Sequence, residues 1–175
     1  MDGRQLAHAE RQDTDLTLHV PAEVSAGVTF RPTDHWTLAY TARWTDASSL
    51  GEGDVRYEDT SEFDFPFVPD AQDEWRHAVG AEWQSTSSLA LRIGVSHAGH
   101  IVGSRGVTPL SFDGDDTRIY AGAGWKRERW SVDLGAVYKV PDSRDVGPAA
   151  PAMLAGHYRS GSAVLVLVGM TREFD

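Results

Sequence analysis

The sequence is notable first for what it lacks. It contains no cysteine, so it can form neither a disulfide framework nor a thiolate metal site. Its longest apolar run, residues 163–170, is far shorter than the ~20 residues that a transmembrane helix needs. No basic run stands out and the formal net charge is −10, which argues against nucleic acid as a partner. The start, residues 1–14, is polar, lacks the apolar segment of a secretory signal and is expected to be disordered.

What the sequence does have is a two-residue period. Apolar residues alternate with polar or small ones in seven segments, and no helical periodicity of useful length competes. The alternation predicts an all-β chain of seven strands, each with one apolar face, at residues 24–30, 36–44, 75–83, 89–95, 119–125, 130–138 and 164–170, with Phe174 in phase after the last.

The connections between these strands alternate in length. Residues 31–35, 84–88 and 126–129 are short links, whereas residues 45–74, 97–117 and 139–162 are long ones. Short turns at one end and long loops at the other are typical of a transmembrane barrel. We therefore predict an antiparallel up-and-down β-barrel in the outer membrane of a Gram-negative bacterium.

Seven strands cannot close such a barrel, because the first and last would run parallel, and bacterial single-chain barrels have even counts. Residues 15–175 are accordingly predicted to be the C-terminal strands of a partial barrel. Upstream strands and a signal peptide are expected to be missing from the sequence.

Aromatic residues bracket the apolar faces at matched spacing. Trp36 and Trp44 are eight residues apart, and so are two further pairs. Eight steps along a strand cover roughly 27 Å, and a tilt of about 40° projects this to ~20 Å, close to the ~25 Å apolar band of membrane barrels. The residues predicted to lie at the two membrane interfaces are Trp36, Trp44, Trp75, Trp83, Trp125, Trp130 and Tyr138. The alternative is a water-soluble, lipid-binding barrel whose apolar face forms the core.

Several stretches of the sequence resemble a known family. These are LTLHVPAEVSAGV at 16–28, RPTDHWTL at 31–38, WRHAVGAEW at 75–83, LALRIGV at 89–95 and GHYRSG at 156–161, followed by an alternating strand to Phe174. Together they resemble the FadL/TodX family of outer-membrane transporters over roughly residues 15–174. The resemblance implies a barrel of about 14 strands, plugged by an N-terminal hatch, with a side opening in its wall. The hatch, the early strands and the wall kink that creates the opening are not found in this sequence.

The function that follows from the resemblance is uptake of long-chain fatty acids or aromatic hydrocarbons by passive diffusion. The expected partners are a hydrophobic small molecule and outer-membrane lipid, with no cofactor and no enzymatic activity. A structural or porin-like barrel segment of another family is the first alternative, and an outer-membrane hydrolase is a more distant one. The oligomeric state is not predicted.

Two groups of residues are candidates for ligand binding. The inward faces carry Arg43, Arg76, Arg92 and Arg118, whose planar guanidinium groups suit a fatty-acid carboxylate. The alternative for each is a pair with an inward Glu or Asp in a polar lumen. In the loop at 62–69, Phe63, Phe65 and Phe67 are a candidate capture site for a greasy ligand, unless they pack onto other loops.

Inward glycines are frequent, at Gly27, Gly80, Gly94, Gly122, Gly124, Gly135 and Gly169. A strand glycine marks either a bend or the close approach of another group, here the hatch or a ligand.

No metal or catalytic site is predicted. His97 and His100 have ligand-like spacing but no third ligand, and residues 113–116 are better explained as an acidic turn than as a calcium loop. No Gly-x-Ser-x-Gly elbow is present.

Overall fold

The structure of the chain is a computed structural model that describes residues 14–57, 65–66, 70–107, 114–147 and 155–174. Nearly all regular structure in these residues is β, with a short 3-10 helix at Ala47–Glu52. The strands are β1 (Thr14–Thr17), β2 (Glu23–Thr33), β3 (Trp36–Thr45), β4 (Asp54–Tyr57), β5 (Phe65–Pro66), β6 (Glu74–Thr86), β7 (Leu89–Ala98), β8 (Asp116–Arg127), β9 (Trp130–Lys139), β10 (Ser143–Val146), β11 (Gly156–Arg159) and β12 (Ala163–Arg172). In this part of the chain no helix has the length and apolar character needed to cross a membrane.

Seven of the strands form one sheet in the order β12-β9-β8-β7-β6-β3-β2. Every neighbouring pair is antiparallel, so the sheet is an up-and-down meander. All seven predicted strands are present, and the fold class is confirmed as an open, partial barrel wall. Its two edges, β2 and β12, run in the same direction, because the strand direction reverses at each of the six antiparallel pairings between them.

The short connections are tighter than predicted. Each is a two-residue turn, at residues 34–35, 87–88 and 128–129, and the strands continue through the residues that the sequence assigned to links. In two of the hairpins the pairing register shifts near the turn, between Phe30 and Thr33 and between Gln84 and Thr86. Backbone pairing therefore continues beyond the last apolar side chain, because a ladder needs peptide groups rather than a particular face. We call the end of the sheet that carries these three turns the turn end.

The long connections, at the loop end, carry structure of their own. Strands β1, β4 and β5 form a small antiparallel sheet, and β10 pairs with β11. Val102, Val107 and Val146 are buried against one another, with Ile101 and Tyr158 packed beside them. Thr14 belongs to β1, and the other residues of the expected disordered start lie outside the described residues.

The large sheet has two distinct faces. One face, here called the apolar face, carries the tryptophans and the alternating valines, leucines and isoleucines, and it is exposed: Ile93 is 65% and Trp75 54% accessible. The opposite, polar face carries the glycines and most of the charged side chains. No described element covers the apolar face, as expected of a wall that faces lipid.

Candidate functional site

The polar face holds a cluster of charges near the loop end, centred on Asp116. This carboxylate is almost fully buried and begins β8. It accepts hydrogen bonds from Arg76 Nη1 at 3.0 Å and from Arg118, whose Nη2 lies 2.7 Å from Oδ2, while Lys139 Nζ lies 3.7 Å away. Glu74 Oε1 lies 3.4 Å from Arg76 Nε. We call these five residues the Asp116 cluster.

A second cluster lies nearer the turn end, around Arg92. Its Nε donates to Glu82 Oε2 at 2.6 Å, and its Nη1 donates to Asp133 Oδ1 at 2.9 Å. Glu82 is the direct cross-strand neighbour of Arg92, but Asp133 is on β9, two strands away. The guanidinium reaches it by crossing β8 above Gly124, where an added Cβ would lie 2.7 Å from Asp133 Oδ1 and 2.9 Å from Arg92 Nη1.

The two clusters differ in charge. In the Asp116 cluster three cationic side chains share two carboxylates, which leaves one positive charge in excess. In the Arg92 cluster one cation serves two carboxylates, which leaves one negative charge in excess. The polar face is thus positive toward the loop end and negative toward the turn end.

Between the clusters the polar face is shallow and largely apolar. The inward side of this depression is lined by Gly94, Tyr120, Gly135, Val137 and Leu167, and Arg92 and Asp133 of the second cluster line its turn end. Val137 is two residues from Lys139 along β9, so the apolar surface begins directly beside the positive cluster. The Tyr120 hydroxyl lies 3.1 Å from Ser96 Oγ, which adds a polar pair at the same edge. The arrangement can accept an anionic head and an apolar tail.

All four predicted arginines lie on the polar face, and each has a carboxylate partner. Arg43 pairs with Glu23 at 3.3 Å, and the other three belong to the two clusters. Neutralising pairs, the alternative considered for these residues, are therefore present in every case. Ligand binding by any of them stays a prediction, and the charge excess favours Arg118 and Arg76 over Arg92.

The predicted capture loop lies mostly outside the described residues. Phe63 and Phe67 are not described, and of Phe65 only the backbone pairing in β5 is. The proposal of an external apolar landing site thus stays a prediction.

The predicted interface aromatics lie on the apolar face. Trp44 is opposite Trp75 at the loop end, and Trp36 is opposite Trp83 at the turn end, where the two rings stack with centroids 6.0 Å apart. Trp125 and Trp130 flank the third turn, while Tyr138 pairs with Val164. Their depth in a membrane stays a prediction.

The structure also identifies residues that the sequence did not single out. Asp116 was assigned to an acidic turn, whereas it begins β8 with its side chain on the same face as that of Arg118, and their spacing of two residues was the available signal. Lys139 was assigned to a loop but ends β9. His97, assigned with His100 to a loop, lies in β7 on the apolar face, while His100 contacts Asp115 at 3.1 Å. No group of three or more potential metal ligands occurs among the residues that the structure describes.

Comparison with known proteins decides the family. The profile of a family described as outer membrane protein transport protein (OMPP1/FadL/TodX) matches residues 3–174. The chain belongs to this family. Membership confirms the outer-membrane location, and the members of this family are transport proteins rather than enzymes. A search of curated protein sequences finds no match.

Solved structures show the same fold. A Pseudomonas aeruginosa FadL homologue superposes with a TM-score of 0.67 at 22% identity, covering 91% of this chain. Two structures of the Pseudomonas putida toluene transporter TodX give TM-scores of 0.64 and 0.61, each at 16% identity and covering 93% of this chain. The family member described here spans 37% of the length of each of these structures, so it corresponds to part of a barrel wall.

Proposed function

We propose that this chain forms part of the wall of an outer-membrane channel for passive uptake of hydrophobic compounds, and that long-chain carboxylates are the substrates for which this wall is suited. The observation that carries the proposal is the positive charge in excess at the Asp116 cluster, directly beside an apolar depression. Aromatic hydrocarbons, the other substrate class of interest, would use the depression alone.

The geometry supports an extended ligand. From Lys139 through Val137 to Gly135 the polar face extends over four residue steps of β9, about 13 Å along the strand. A carboxylate beside Arg118 and Lys139 would thus leave its chain against Val137 and Leu167. The Arg92 cluster beyond would repel the head group, because it carries the opposite charge in excess. The head is therefore expected to stay toward the external side.

The electrostatic contribution is modest. Arg118 and Lys139 have side chains that are 43% and 37% exposed, so water screens their charge. Exposed ion pairs of this kind contribute about 0.2–1 kcal/mol. Burial of apolar ligand surface, at roughly 25 cal/mol per Å², is expected to supply most of the affinity. Charge then selects among ligands rather than driving uptake.

The test compares a charged with an uncharged substrate. In cells carrying the protein in their outer membrane, Lys139→Gln is expected to weaken oleate binding by up to about fivefold and to leave toluene entry unchanged. Lys126→Gln is the matched control, because Lys126 is an exposed lysine at the turn end that pairs with Glu173 at 3.4 Å. Unchanged oleate binding, or an equal loss for toluene, would contradict the proposal.

The same cells distinguish a general pore. A porin-like wall predicts rapid entry of small sugars and no saturable binding of oleate. Saturable oleate binding with no gain in sugar entry supports the selective channel.

A further inference from the structure

Two histidines interrupt the apolar face near its loop end. His77 and His97 are direct cross-strand neighbours on β6 and β7, and Thr117 of β8 continues the same row. Side chains paired in this way have Cβ atoms about 5 Å apart. Both imidazoles are exposed, and the next positions toward the turn end on this face are Val79 and Val95. The row is therefore a polar strip at the margin of an apolar wall.

Each imidazole has one nitrogen engaged and one without a partner among the described residues. The Nδ1 atom of His77 lies 2.8 Å from the Tyr40 hydroxyl, and that of His97 lies 2.9 Å from Thr117 Oγ1. Both hydroxyls can donate to Nδ1, and the ring proton then resides on Nε2, which becomes a donor. His77 is further held by stacking on Trp75, with centroids 6.0 Å apart.

The depth of the row follows from Trp75. His77 is two residues farther from the loop end than Trp75, which is about 6.7 Å along the strand and about 5 Å along the membrane normal at barrel tilt. Each polar layer of a bilayer is about 5–7 Å thick. With Trp75 in the headgroup layer, the imidazoles reach the inner boundary of that layer, where an N–H without an acceptor is costly.

The charge around the row favours an anionic acceptor. On β3, β6, β7 and β8 the described carboxylates, Glu74, Glu82 and Asp116, all face the other side of the sheet. A phosphate brought to the row would thus meet two N–H donors and no carboxylate from these four strands. Asp73, which precedes β6, hydrogen-bonds to the Trp44 side chain at the loop end.

We propose that His77 and His97 form a binding site for the phosphate of an outer-leaflet lipid headgroup, on the outside of the barrel wall. The site is independent of the substrate path, because the apolar face and the polar face are opposite sides of the same strands. It tethers one lipid beside Trp75 through two hydrogen bonds.

The test counts retained lipid. The full chain is placed in vesicles of dioleoylphosphatidylglycerol and extracted with dodecyl maltoside, and bound phospholipid is counted by native mass spectrometry. The double variant His77→Leu/His97→Leu is expected to retain this lipid about tenfold more weakly than the unaltered chain. His77→Asn/His97→Asn, which restores amide donors, is expected to recover most of the loss. His19→Leu is the control, since His19 is exposed and lies outside the sheet.

Circular dichroism of each variant checks that strand content is unchanged. Equal retention by the leucine variant would overturn the proposal, and so would equal loss in the leucine and asparagine variants, because the donors would then not matter. Displacement of the lipid by millimolar inorganic phosphate would assign the site to free phosphate instead. Digalactosyldiacylglycerol vesicles contain no phosphate. In these vesicles a phosphate site predicts that the unaltered chain and the leucine variant retain lipid equally.

Discussion

Adding one methyl group at Gly124 is expected to break an ion pair that spans three strands. An alanine Cβ there would lie 2.7 Å from Asp133 Oδ1, whereas ordinary contacts begin at 3.4 Å, so the carboxylate must move by about 0.7 Å. Added to the present 2.9 Å between Arg92 Nη1 and Asp133 Oδ1, this shift takes the pair to roughly 3.6 Å, beyond hydrogen-bonding distance.

The cost can be bounded from both sides. The pair is about half exposed, so its loss costs about 0.2–1 kcal/mol. Both contacting groups are ends of flexible side chains, so the backbone need not move and the larger penalties of core overpacking do not apply. Relative to a glycine-to-alanine change that meets only ordinary contacts, we expect Gly124→Ala to lower the free energy of unfolding by up to about 1 kcal/mol.

Gly135→Ala is the matched control, on the same face of the next strand. Its nearest neighbour would be Leu167 Cβ at 3.9 Å, so the new methyl group meets only ordinary contact. It is expected to be neutral or stabilising by up to about 1 kcal/mol, because alanine restricts the unfolded chain. Urea unfolding in phospholipid vesicles, followed by tryptophan fluorescence, measures both variants.

A double-mutant cycle separates the ion pair from other effects. With Asp133→Ala already present, Arg92 is free to move and Gly124→Ala is expected to cost little, giving a coupling energy of about 0.5 kcal/mol or more. Equal stability of the Gly124 and Gly135 variants, or an unchanged penalty without Asp133, would refute the reasoning.

Three further predictions follow from other contacts. The stacked rings of Trp36 and Trp83 are expected to show a coupling energy of about 1 kcal/mol in a double-alanine cycle, and additive effects would contradict the stacking. Val107→Ala should destabilise the external loops by about 2 kcal/mol, measured as faster proteolytic cleavage of the loops with no change in the membrane-protected strands, because this side chain is fully buried among the loops alone. Hydrogen bonds from the side chain and the backbone N–H of Ser48 hold the pKa of Asp73 below its ordinary 3.8, so this contact stabilises the loop above that pH and is lost as the pH falls through the lowered pKa. Ser48→Ala removes the hydroxyl and should raise the pKa of Asp73 in a carboxyl NMR titration, and an unchanged titration would show that the hydroxyl does not contribute.

The strands could be predicted because both faces of the wall have strong chemical requirements. Ile93 and its neighbours must meet lipid on one side while Arg92 and Gly94 meet a polar lumen on the other, and this imposes the two-residue period on the sequence. The ends of the strands were less well predicted, because Thr33 and Arg127 lie beyond the apolar band yet still pair through their backbones.

The charged clusters were only partly predictable. That Arg92 would meet Glu82 follows once the two are known to be opposite each other, but its contact with Asp133 depends on the missing side chain at Gly124 and on the order of three strands. The sequence attributed that glycine to a bend, the hatch or a ligand, whereas the group approaching it is an arginine of the wall itself. The outward histidine pair was not predicted, because it requires the register of β6 against β7.

The common direction of β2 and β12 sets a parity condition on any closed barrel that includes this wall. The part of the barrel that completes this wall must pair antiparallel with it at both edges. Its first and last strands therefore both run opposite to β2 and β12, so it contributes an odd number of strands. A second copy of the same wall, inserted the same way up, would have the right number but would meet both edges in parallel. Antiparallel closure thus needs a complement whose first strand crosses the membrane in the opposite sense to β2, which like chains in one orientation never supply.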